Sequence, residues 1–147
     1  DLMLQIREKV ADIHRVVQQC RDLRQQISHR LQPLQGNPEA VALSNEGNNL
    51  ITVLTSIEYS LIQPDLNVDS GELDGSHYEG MPDGKLEALG YKVGRSDNAP
   101  TQQAYAMYDV FVAETIEPYA RFQTVIDTQL PAFNRHFQEG GWAAIVL

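Results

Sequence analysis

The stretch from Ala99 to Gln138 constrains this chain most. Tyr105, Tyr108, Val112, Ile116, Tyr119, Phe122 and Ile126 follow one another at steps of three or four, and Leu130, Phe133 and Phe137 extend the row. That spacing draws an apolar stripe along one side of a helix. The stripe holds three of the six tyrosines and three of the four phenylalanines. So large an aromatic face is stable only against other helices, which the rest of the chain must supply. Thr101 has a hydroxyl placed to cap the helix start. Pro118 and Pro131 each remove a backbone donor and crowd the preceding turn, so the expected helix, about 101–138, is kinked near both. Gly140-Gly141 stops it. Trp142 to Leu147 is an apolar tail, expected to pack back on the bundle or against a neighbour.

Two further helices are legible upstream. In the first, about 2–32, Ile6, Ile13, Cys20, Ile27 and Leu34 are spaced by seven. Met3, Val10, Val17 and Leu31 form a second row that Arg24 interrupts. Two such rows are the seam of a coiled-coil-like bundle helix. At about 1.5 Å per residue the helix is roughly 45 Å long, a length that asks for parallel or antiparallel neighbours. Gly36 suits a left-handed stop, Asn37 a cap, Pro38 a first helical turn and Glu39 the positive end of the next dipole. So short a connection makes the two helices antiparallel. The second helix, about 38–63, carries Leu43, Gly47, Leu50, Leu54, Ile57 and Leu61 at alternating steps of four and three, and Pro64 ends it. Gly47 on that stripe lets another helix come close.

From residue 64 to residue 98 the periodicity gives way to a glycine-punctuated connection. Only Asp83 to about Tyr91 reads as a short helix, with Leu86 and Leu89 inward and Gly90 as its stop. The connection is long for a small bundle, and the two expectations for it are a lid packed over the bundle end and a mobile loop. The fold expected is all-α: one domain over 1–147, an antiparallel up-down-up three-helix bundle with a short extra helix in the 65–98 connection.

Charge narrows the partners. The chain carries a net charge of −9. Between Asp65 and Asp97 eight acids stand against three bases, so over half of that excess sits in one segment. An acidic body without a basic face argues against nucleic acid and anionic lipid as partners. No run of eighteen apolar residues is present to span a membrane, and no secretory signal pattern is visible. The chain opens at Asp1 rather than Met, so the expectation is a chain processed or excised from a longer one.

Candidate chemistry is thin. Asp65-Leu66-Asn67-Val68-Asp69 begins like a calcium loop, but Ser70 and Ser76 stand where an EF-hand needs its glycine and its bidentate glutamate. A solvated acidic loop is the plainer reading. His14, His29, His77 and His136 share no helix face at ligand spacing, and His29 and His136 read as surface residues near helix ends. Cys20, the one cysteine, lies on an apolar face and reads as a small buried hydrophobe. Glu114 and Glu117 are three apart and would form a glycosidase pair only across a cleft; a solvated face is the simpler account. Tyr105, Tyr108 and Tyr119 would stack on sugar rings if they lined a groove, against core packing with hydroxyls at the rim. No nucleophile elbow, phosphate loop or dinucleotide fingerprint occurs. No catalytic, cofactor-binding or metal-ligating residue is therefore expected.

Two stretches carry a resemblance. Pro82-Asp83-Gly84-Lys85-Leu86-Glu87-Ala88-Leu89 leads into Ser96-Asp97-Asn98-Ala99-Pro100-Thr101-Gln102-Gln103-Ala104, and Leu130-Pro131-Ala132-Phe133-Asn134 follows. With two heptad helices upstream, this order resembles the C-terminal helical region of bacterial BNR-repeat, sortilin-type β-propeller proteins, often labelled glycosyl hydrolases. The resemblance implies propeller repeats upstream, in a longer and exported parent. Hydrolytic residues would then lie in the propeller, and no Asp-box of Ser-x-Asp-x-Gly-x-x-Trp type occurs here. The Gly- and Asp-rich stretch from Asp65 to Gly80 departs from the family. The function expected is a non-catalytic accessory domain, its partner the propeller of the same chain or another protein. The alternative is a ligand- or carbohydrate-binding module with a tyrosine-lined groove. An enzyme ranks third, since it would need carboxylates of perturbed pKa sharing a cleft.

Overall fold

The computed structural model describes residues 1–62 and 80–141. Asp1 opens it by accepting a hydrogen bond from the Met3 amide, which caps α1, Leu2–Leu31. The buried stripe of α1 is wider than two heptad rows. Leu2, Val16 and Leu23 join Ile6, Ile13, Val17, Cys20, Ile27 and Leu31, because helices flank α1 on more than one side. The stripe runs into a 3-10 turn, Gln32–Leu34, whose Leu34 is also buried. Gly36 then takes a left-handed φ of 79°, as its place at the turn requires. Asn37 accepts from the Glu39 amide at 3.0 Å, and Pro38–Ala40 forms the 3-10 entry to α2, Val41–Leu61. The chain is extended at Ile62.

α2 lies antiparallel along the C-terminal half of α1. Gly47 meets the end of Leu31, Thr55 meets Arg24, and Glu58 meets Arg21. A Cβ on Gly47 would stand 2.7 Å from Leu31 Cδ1, so the glycine does allow the close approach.

α3, Pro82–Gly94, extends the expected short helix by about a turn. Gly90 is no stop: it is buried mid-helix, where a Cβ would come within 3.2 Å of Ile6. Asp83 faces His14, Gly90 faces Ile6 and Gly94 faces Met3, so α3 runs antiparallel to the N-terminal half of α1. It is not a cap on the bundle end. Instead α2 and α3 lie in series, together matching the length of α1.

The third line is interrupted at two places, each close to one of the two prolines. Thr101 caps α4, Gln102–Ala113, accepting from the Ala104 amide at 3.2 Å. α5 follows, Ile116–Thr124, then a π-helical turn, Val125–Gln129, and α6, Leu130–Glu139. Both breaks fall a turn before a proline. Pro118 has no N–H for the Glu114 carbonyl, so the chain tightens at Glu114-Thr115 and restarts at Ile116. There Thr115, 1% exposed, donates through Oγ1 to the Val112 carbonyl at 2.7 Å. The Pro131 ring would crowd the Asp127 carbonyl of a regular helix. A turn widened by one residue makes room, and the Leu130 amide reaches back to the Val125 carbonyl.

These breaks redirect the expected stripe. Phe122, Val125, Leu130, Phe133 and Phe137 enter the core, with Val125 displacing Ile126. Tyr105 and Ile116 are exposed, and α4 buries no residue. α5 and α6 pack on α2, while α4 rests mainly on α3. All regular structure among the described residues is helical, and the fold is all-α. Pro64, the acidic stretch Asp65–Glu79 with His77, and the tail Trp142–Leu147 lie outside the described residues.

Candidate functional site

The polar side chains that bridge these helices form small separate groups. Glu58 is 2% exposed and receives Arg21 and Arg24 from α1, one on each carboxylate oxygen. Arg24 also donates to Thr55 Oγ1 at 2.8 Å, so the carboxylate is buried with its charge balanced. Arg121 of α5 donates to the Ser56 and Ser60 hydroxyls and pairs with Glu117. Glu114 takes Lys85 Nζ on both oxygens at 2.8 Å. Glu114 and Glu117 are thus drawn to different cations and share no cleft. His14 lies 3.6 Å from Asp83, His136 lies 2.7 Å from Glu46, and His29 is exposed near the end of α1.

Among the described residues two carboxylates have shifted pKa values, on different seams of α1. Burial pushes Asp83 upward, against the pull of the Gly84 amide and His14. Burial also pushes on Asp12, but Arg15, Tyr119 and Lys9 outweigh it and hold Asp12 below the ordinary range. Asp12 faces Tyr119 of α5, whereas Asp83 belongs to α3. Cys20 is fully buried, and burial followed by the Glu58 charge pushes its thiol up to about 12. That is the opposite of a reactive thiolate. Among the described residues no three His, Cys, Asp or Glu side chains come together as a metal cage.

The three candidate tyrosines do not converge. Tyr105 is exposed on α4. Tyr108 directs its hydroxyl to the Gln5 carbonyl at 3.5 Å. Tyr119 lies under Lys9, whose Nζ is 4.2 Å from the ring centroid. Burial raises the Tyr119 hydroxyl's pKa, and the neighbouring Asp12 raises it further.

What the fold does offer is grooves. Between α2 and the α5–α6 line, two hollows of about 930 and 600 Å³ meet at Val53 and Gln129, with Glu117 in one and Glu46 in the other. Between α1 and α3 a hollow of about 720 Å³ carries Arg7, His14 and Glu87. Between α3 and α4, hollows of about 430 and 670 Å³ share Leu89, Lys92 and Met107 and so form one groove. Its lining includes no carboxylate, and no tyrosine lines any of the five hollows.

The α3–α4 groove escapes the stripe argument because it joins two helices from different parts of the chain. A signal was present: Lys85, Leu89 and Lys92 stand four and three apart, on one face of a helix. Among the described residues no helix is long and apolar enough to cross a membrane. Compared with protein-family models, with curated proteins and with solved structures, the chain matches none.

Proposed function

We propose that this chain is a non-catalytic helical interaction domain, which covers its α4 face with another part of its parent or with another protein. The observation that carries this reading is the state of α4. A helix of twelve residues with Met107, Tyr108, Phe111 and Val112 half-buried contributes no fully buried side chain. Tyr105 and Val110 on α4 and Ile116 just beyond it remain exposed. Helical stability comes mostly from burying an amphipathic face, so a stripe left half covered fits a surface that a partner completes. The resemblance carried by Pro82–Leu89, Ser96–Ala104 and Leu130–Asn134 supports the propeller of a glycosyl-hydrolase-like parent as that partner.

Hydrogen exchange tests the reading. In the isolated chain, the amides of α4 are expected to exchange faster than those of α1 and α2. In a longer protein carrying the upstream sequence they slow by about tenfold or more, as covered helices do. Equal exchange in the two proteins would remove the propeller as the partner. Protection of α4 in the isolated chain equal to that of α1 would remove the reading altogether.

A further inference from the structure

We infer that the α3–α4 groove binds an acidic amphipathic helix of a partner. This rests on the interaction-domain reading, taken with another protein rather than the propeller as the partner, and names the chemistry of that partner. Four observations point the same way. The floor is apolar, built from Leu89, Ala104, Met107 and Phe111. The groove runs between two helices, from Lys85 along α3 to Ser96 just past its end, so about three turns of a third helix would fill its length. The hollows open on solvent along that length, which suits a helix laid in a groove better than a small molecule that must be enclosed.

The fourth observation is charge. The chain carries −9 overall, and the other hollows each hold a carboxylate, yet this groove is lined by Lys85 and Lys92 and by no acid. Lys85 is engaged by Glu114, the acid at that end. Lys92 is exposed and has no ion pair among the described residues. A partner with leucines toward Met107 and Phe111 and a glutamate toward Lys92 would bury apolar surface and pair that charge together. A basic helix would set a cation against the unpaired Lys92, a repulsion that discriminates between partners. Met107 adds an adaptable floor that accommodates different apolar side chains.

The test uses the whole chain and two labelled synthetic peptides of about four helical turns. Both carry leucine at helical spacing. One has glutamate and the other lysine at the flanking positions. By fluorescence anisotropy the glutamate peptide should bind at least about tenfold more tightly than the lysine peptide, with the preference falling as salt is added. Lys92→Glu should reverse the preference, while Lys92→Arg keeps it. Equal binding of both peptides, or a preference unmoved by Lys92→Glu, would overturn the proposal. So would binding of decanoate with no binding of either peptide, which would make the groove a site for a small amphipathic anion. Self-association by light scattering that Lys92→Glu abolishes would also overturn it, in favour of a second copy as occupant. If α4 becomes protected in the longer protein but neither peptide binds, the interaction reading stands and the acidic partner falls. If α4 is already protected in the isolated chain, the broader reading fails as well.

Discussion

Glu58 concentrates the energetics of single residues in this protein. Its carboxylate is buried against α1 and depends on Arg21 and Arg24 for its charge balance. Arg24→Leu leaves that carboxylate with one cation, itself half exposed, and is expected to cost roughly 2–4 kcal/mol. Adding Glu58→Leu removes the stranded charge and should recover more than half of the loss, a coupling that urea denaturation of the single and double variants would measure. In the sequence, Arg24 reads only as a gap in an apolar row. Its reach to an acid 34 positions away exists only because α2 folds back antiparallel. By contrast, the local caps are legible from neighbours alone. Asp1, Asn37 and Thr101 each accept from an amide two or three residues on, an interaction decided within one turn.

At the scale of an element, the C-terminal line shows how a proline reassigns a stripe. Phe122, Ile126 and Leu130 are spaced for a regular helix, and nothing in the period favours Val125 over Ile126. The π-turn before Pro131 decides it, since the buried positions Val125 and Leu130 stand five apart. Deleting exposed Thr128 together with Pro131→Ala would return those positions to steps of four and three. That variant should keep its helical circular dichroism and stay within roughly 2 kcal/mol of the parent. Deleting exposed Gln18 in the regular α1 turns Cys20, Leu23, Ile27 and Leu31 about 100° away from their partners, and should unfold the chain. Gly90 shows the opposite limit. Glycine is the usual signal for a helix stop, and only the approach of Ile6 from α1 explains why it sits inside α3.

For the whole molecule, Cys20 reports on the core that the three lines of helix share. It is fully buried near the middle of α1, so native protein at about pH 8 should resist alkylation, with modification following only global or subglobal opening. The linkage has a definite sign. The unfolded thiol ionises near its ordinary 9.0, while the folded one holds its proton to about 12. Stability from this group is therefore complete below pH 9 and is lost as pH rises toward 12. Cys20→Ala should be less stable than the parent at about pH 8, with the gap narrowing at about pH 10.5 in urea titrations. The sequence by itself determined that the chain is helical, where α1 begins, that Asn37 caps the turn leading into α2, and which faces of α1 and α2 are apolar. Those properties follow from periodicity and from capping within a turn. Only the tertiary structure decided that α3 continues the line of α2 rather than closing the bundle end, and that α4 is left half covered beside two lysines. Those outcomes depend on which surfaces meet across distant parts of the chain, and no local period encodes that.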